Sequence, residues 1–209
     1  MDLQYFGGNC VKLTTKKASL VIDDNLLALG GPAVTKATDI SLITSPKLIE
    51  LPKASAFVID KPGEYEISDI SIEGHGAQSH MDTDDKKTAV IYRLIIEDIR
   101  IAVVGHIQPK LSETQLEALG LIDILLVPVG GNGYTTDGVE ALKLIKDIEP
   151  KIVIPTHYAE KGLNYEVEQL DLDQAIKDLG MEPAQRVPKL KIKASEIPEI
   201  TQLIVLERQ

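Results

Sequence analysis

Four histidines, His75, His80, His106 and His157, hold most of the chemistry open to this chain. Imidazole is the commonest metal ligand, and a catalytic zinc typically takes about three protein ligands and leaves one position for water. Each histidine also has a plainer reading. His75 stands between Gly74 and Gly76, as a loop residue would. His106 ends an apolar run, where a neutral imidazole could simply hydrogen-bond a loop carbonyl. His157, followed by Tyr158, suits a buried structural imidazole as well as a ligand. The remaining groups carry less. Asp82, Asp84 and Asp85 beside Lys86-Lys87 fit no calcium-loop spacing and read as a solvated hairpin loop. Glu64 and Glu66 flank Tyr65 and would share one side of a strand, as acid–base pairs can. Cys10 is a nucleophile only with an activating base beside it, and it reads as a small core hydrophobe. Gly130-Gly131-Asn132-Gly133 follows a strand but has no lysine at phosphate-binding spacing, and no Gly-x-Ser-x-Gly elbow occurs.

The elements that must position these groups fall into two halves. Short apolar runs at Ala18–Asp23, Ile40–Thr44 and Ala56–Asp60 read as strands, and the partial alternation over Glu66–Glu73 reads as one half-buried strand. Thr88–Glu97 and Ile99–Val104 read as a hairpin turning at Glu97-Asp98. From there strands alternate with helices. Helices are expected at Ser112–Leu119, which opens on a Ser-x-x-Gln capping box, at Asp137–Ile148 and at Leu172–Leu179 before Gly180. Buried strands are expected at Ile122–Val129 and Lys151–Pro155, with two more at Leu190–Lys193 and Leu203–Leu206. This order implies an α/β protein of layered sheets with helices outside, in a single domain over residues 1–209.

Composition narrows the partners. The chain is 44% hydrophobic, enough for a substantial core, and its 22 basic and 32 acidic residues leave a net charge of −10. That sign repels phosphate backbones, and no basic groove offsets it, so nucleic acid is excluded as a first partner. No apolar run approaches the roughly 20 residues that span a bilayer. A single cysteine permits no internal disulfide, and the N-terminus has no leader pattern, so the expected compartment is the cytoplasm. A small-molecule ligand and a homo-oligomer both fit.

Four segments, in order, carry a resemblance: Pro62-Gly63-Glu64-Tyr65-Glu66, Val104-Gly105-His106, Val127-Pro128-Val129-Gly130-Gly131, and Ile154-Pro155-Thr156-His157-Tyr158. Together they resemble the metallo-β-lactamase superfamily, in its short bacterial branch similar to ascorbate-phosphate lactonases and zinc-dependent hydrolases. The resemblance runs from Leu3 to Leu206. It implies a four-layer αββα sandwich with metal ligands on loops at one edge. There, two metals would activate water against an ester, lactam, lactone or phosphodiester.

The family's ligands are mostly missing. Its His-x-His-x-Asp-His motif should follow the strand at Ile40–Thr44, but Ser45-Pro46-Lys47-Leu48-Ile49-Glu50 stands there. The Gly-His after the first strand is Gly8-Asn9, and the Gly-Asp pair is Gly105-His106. The lone family histidine maps to His80 or His75, and only His157 matches plainly. The resemblance therefore implies a degenerate site with weak or no hydrolase activity and no assigned catalytic residue, holding no cofactor or one divalent metal, zinc first. One alternative is a rebuilt site of His80, His106 and His157 acting on a small ester, lactone or phosphodiester, with Asp82, Lys47 and Tyr158 lining the cleft. Another is a non-catalytic module that binds a small molecule or a protein.

Overall fold

A computed structural model describes residues 1–50, 55–83 and 86–209. Asp84 and Asp85 of the acidic run lie outside the described residues. The chain opens with five strands: β1 (Asp2–Gly7), β2 (Cys10–Thr14), β3 (Ser19–Ile22), β4 (Ile40–Leu42) and β5 (Phe57–Ile59). A meander follows: β6 (Gly63–Ile67), β7 (Ile70–Ala77), β8 (Ala89–Ile96) and β9 (Ile99–Val103). Then come α1 (Glu113–Leu119), β10 (Ile124–Pro128), α2 (Gly138–Ile148), β11 (Ile152–Thr156), α3 (Leu172–Leu179), β12 (Pro183–Val187), β13 (Leu190–Lys191) and β14 (Gln202–Leu206).

The strands form two sheets. One runs β13-β1-β2-β3-β4-β5 and the other β12-β14-β11-β10-β9-β8-β7-β6. Their facing side chains make one continuous core: Leu3, Tyr5, Leu13, Leu20 and Ile22 from the first sheet join Ile72, Leu94, Ile101 and Leu126 from the second. This is the expected sandwich. The three α-helices all lie in connections of the second sheet. The outer face of the first sheet is packed differently. Cys10 and Val21, one residue out of phase with the main core, meet Leu26, Leu29 and Leu163 from loops. Cys10 is thus the small buried hydrophobe its sequence context suggests.

Local chemistry explains the elements. β10 and β11 are buried at every position, as parallel strands covered on both faces must be. Ser112 caps α1 through a reciprocal capping box with Gln115, Asp137 does the same for α2 with Glu140, and left-handed Gly180 closes α3.

Two expectations are corrected. Glu66–Glu73 is not one strand: it divides between β6 and β7 at Ser68-Asp69, both in left-handed conformation with φ of 53° and 62°. Two successive left-handed residues make the tight turn whose twist matches paired strands, and Ser-Asp is a weak signal for it. His75 is not a loop residue: it sits within β7 opposite Ile91. Glu64 and Glu66 lie exposed on the edge strand β6.

Topology places the loops. β9, β10 and β11 are parallel, and β7 runs with them because two antiparallel steps separate it from β9. Their C-terminal ends therefore open onto one edge of the second sheet, where ligand sites of open α/β sheets gather. His80, His106 and His157 follow the ends of β7, β9 and β11 within one to three residues.

Candidate functional site

Three of the four histidines converge. The ring centres of His106 and His157 are 4.6 Å apart, edge to face at 85°, and those of His80 and His106 are 5.8 Å apart. Tyr134, from the loop after β10, packs against all three at 4.8 Å from His80, 5.0 Å from His106 and 5.8 Å from His157. Tyr165 also packs on His157, at 5.2 Å. His75 makes no ring contact with the others among the described residues.

Each loop is held by backbone. The amide of His80 donates to the His106 carbonyl at 3.3 Å, and Ser79 bridges Ile107, so the two loops form a miniature antiparallel pair. The amide of His157 donates to Gly8 O at 2.7 Å, tying the site to the β1–β2 turn of the other sheet. His157 is itself left-handed, with φ of 53°, a conformation that non-glycine residues hold only when their surroundings impose it.

The tautomers follow from the partners. His106 Nδ1 lies 3.2 Å from the carbonyl oxygen of Tyr134, which can only accept, so Nδ1 carries the proton. His157 Nδ1 lies 3.0 Å from Gln169 Oε1, and Gln169 Nε2 donates to Val167 O at 2.7 Å, which turns its oxygen to the ring. Both imidazoles therefore keep a lone pair on Nε2. His80 is different: both ring nitrogens are buried with no hydrogen-bond partner among the described residues. Leaving a buried polar atom unpaired costs about 1–3 kcal/mol. Burial keeps the rings neutral. It lowers the pKa of His157 to about 4, drives that of His106 well below its usual value with help from His157, and lowers that of His80.

The other expected cleft residues sort unevenly. Asp82 staples its own loop by accepting from Ser79 N at 2.9 Å, Thr88 N at 2.9 Å and Thr88 Oγ1 at 2.7 Å. Burial alone would raise its carboxyl, but those donors and the charge of Lys47 carry it below the usual range. Lys47 is exposed. Tyr158, expected at the cleft, is turned into the core: its ring packs 5.4 Å from Tyr5 and its hydroxyl donates to Leu206 O at 3.4 Å. The peptide at His157 reverses direction, so consecutive side chains diverge. Sequence reasoning missed Tyr134 and Gln169. The glycines around Tyr134 were visible, but their use was not. Gly130 has no Cβ because one would overlap Gln169 Oε1 and the His157 carbonyl. Gln169 left no signal.

The family's two-metal ligand set does not fit. Ser45 is buried with its hydroxyl unpartnered among the described residues, Glu50 is exposed, and Asn9 uses its Oδ1 to accept from Thr156 Oγ1 at 2.8 Å. As the side chains stand, no three His, Cys, Asp or Glu residues among those described form a group that could hold a metal ion. All three imidazoles are neutral; two have Nδ1 hydrogen-bonded to protein, and His80 has both ring nitrogens buried without a partner among the described residues.

Two face-to-face sheets, with the helices in the connections of the second, define a layered α/β sandwich that carries three histidines on one edge. The profile of the Beta-lactamase superfamily domain matches residues 2–157, and the chain belongs to that superfamily. A UPF0173 protein of Pyrococcus abyssi is 26% identical over 188 residues, covering 78% of this chain and 85% of that protein. A UPF0173 metal-dependent hydrolase of Carboxydothermus hydrogenoformans is 54% identical over a 37-residue stretch, 18% of this chain and 16% of that one. Among solved structures, a candidate zinc-dependent hydrolase of the metallo-beta-lactamase superfamily from Thermotoga maritima superposes with a TM-score of 0.74 at 25% identity, covering 100% of this chain and 99% of that one. A candidate metal-dependent hydrolase from Parabacteroides distasonis superposes with a TM-score of 0.63 at 20% identity, over 99% and 93% of the two chains. No helix among the described residues is long and apolar enough to cross a membrane.

Proposed function

We propose that this chain keeps the scaffold of the metal-dependent hydrolases but lacks their two-metal centre, and that it has weak or no hydrolase activity. The carrying observation is the loop after β4. On the resemblance to the family, Ser45, Lys47 and Glu50 take the positions that the imidazoles of a two-metal site would occupy, and none of the three is a histidine. Without two metals there is no clamp on the attacking and leaving oxygens. The acidic surface and neutral imidazoles suit a small molecule as the site's occupant better than a polyanion.

A second reading is favoured by the orphaned nitrogens of His80: a rebuilt one-metal hydrolase of a small ester, lactone or phosphodiester. His80, His106 and His157 would hold the ion, zinc first, and a zinc-type ion there would supply a water with a pKa lowered toward about 7. The experiment is a panel of such substrates offered to the chain with and without added zinc or manganese, beside His157→Ala. The expected result is turnover no greater than that of the variant. Metal-dependent turnover at least roughly 100-fold above His157→Ala would overturn the first reading and establish the second.

A further inference from the structure

The N-terminal edge of the second sheet, opposite the histidines, carries features that the site does not use. A groove of about 760 Å³ runs there, along the starts of β9, β10, β11 and β14 and beside the last turn of α2. Ile122, Ile145 and Ile148, all buried, form its apolar floor. Its rim is apolar too. Leu121 lines it at 74% exposure, and Ile200, next to Thr201 of the lining, is 80% exposed. Exposed apolar surface rimmed by polar groups marks a face that another molecule covers.

The charges of the groove come in two states. Arg100 and Asp123 are matched, with Arg100 Nε at 2.8 Å and Nη2 at 2.6 Å from the carboxylate oxygens. Lys151 donates to Glu199 O at 2.9 Å. Lys146 and Glu149, three residues apart on one side of the helix end, are exposed and make no salt bridge among the described residues. A second copy of the chain is the occupant that this pattern fits. A two-fold interface sets one patch against itself, so the patch must be self-complementary. An unpaired cation beside an unpaired carboxylate meets that requirement, because rotation about the axis brings each to face its opposite. Arg100, Lys146 and Lys151 against Asp123 and Glu149 also make the groove locally positive on a chain of net charge −10. That relieves the repulsion that two acidic copies would feel elsewhere.

We propose that this groove is the interface of a homodimer, with Leu121 of each copy packed into the groove of the other and Lys146 of each copy paired with Glu149 of the other. The histidines lie at the opposite ends of the same strands, so the interface leaves their edge open, and it stands whether or not the chain hydrolyses anything.

The test is sedimentation equilibrium on the parent and its variants, with folding checked by circular dichroism. The parent should dimerise. Lys146→Glu and Glu149→Lys should each weaken the dimer by roughly 10-fold or more, because the two-fold axis makes every reversal count twice. One makes the acidic chain more negative and the other less, so a general effect of net charge would shift them in opposite directions. Lys146→Glu combined with Glu149→Lys restores opposite signs across the axis and should return the dimer to near the parent. Leu121→Ser should weaken it by roughly 10-fold or more through lost apolar burial. A parent that stays monomeric at its highest soluble concentration overturns the proposal. So does a dimer that no variant weakens, or that the two charge reversals shift in opposite directions. Weakening by both reversals without recovery in the combined variant overturns the pairing of Lys146 with Glu149.

Discussion

Gly130→Ala should destabilise the fold by about 3 kcal/mol and release the His157 imidazole from its partner. Gly130 follows β10, where its carbonyl accepts from Leu170 N at 2.8 Å. A Cβ there would overlap two atoms at once, the Gln169 amide oxygen and the backbone carbonyl of His157. The side chain of Gln169 could rotate away, but only by giving up Nδ1 of His157. The His157 carbonyl cannot move without disturbing the left-handed residue and its bond to Gly8. Overpacking of this kind costs about 1–3 kcal/mol, and a backbone obstacle puts it at the upper end. In a chain of 209 residues the midpoint of thermal unfolding should fall by roughly 10 °C. Gly133→Asn on the same loop is the control. It meets open space, and asparagine tolerates the left-handed backbone, so its midpoint should move by only about 1–2 °C. Similar shifts in the two variants would show that loop flexibility, not close approach, sets the effect.

Asp23→Asn should deepen a loss of stability in acid that the parent protein partly offsets. Asp23 follows β3, is fully buried, and accepts from Thr44 N at 2.7 Å and Thr44 Oγ1 at 2.5 Å. Burial pushes its pKa from 3.8 up to about 7. A carboxyl raised on folding favours the folded state when protonated, so its contribution is complete below about pH 4 and is lost as pH rises through 7. Between pH 7.5 and 5 it gains about 2–3 kcal/mol. The histidines oppose it. His157, lowered by burial from 6.5 to about 4, contributes stability above its unfolded value that is lost as pH falls, about 2 kcal/mol by pH 5. His106, also lowered by burial, adds in the same direction. In urea unfolding, Asp23→Asn should therefore lose at least about 2 kcal/mol more than the parent from pH 7.5 to 5. Parallel pH profiles for the two proteins would mean that Asp23 is ionised in the fold.

Much of the architecture was legible because it is written in local patterns. Ser112, Asp137 and Gly180 mark helix boundaries through hydrogen bonds that their own side chains or backbones make within one turn. Fully apolar runs at β10 and β11 announce strands buried on both faces. β6 and β7 were not separable, because their turn depends on two left-handed residues, Ser68 and Asp69, whose types only weakly favour it. The site was legible as an inventory: which imidazoles exist, and that Ser45-Pro46-Lys47 supplies none.

What only the tertiary structure decided is which of these groups meet, and in what state. His80 and His157 are 77 positions apart in sequence and come together because β7, β9 and β11 run the same way and end on one edge. That is a property of strand order, not of any segment. The same geometry removed His75, held within the strand two residues before the end of β7, and turned Tyr158 toward Tyr5 at the left-handed His157. It also added Tyr134 and Gln169, which carry no metal-binding signature and matter only through their contacts. The sequence by itself determined which imidazoles are present and the absence of the family motif, because residue types are conserved by the chain whatever its shape. The tertiary structure decided convergence and tautomer, because these depend on distances of a few ångströms between residues that the sequence keeps far apart.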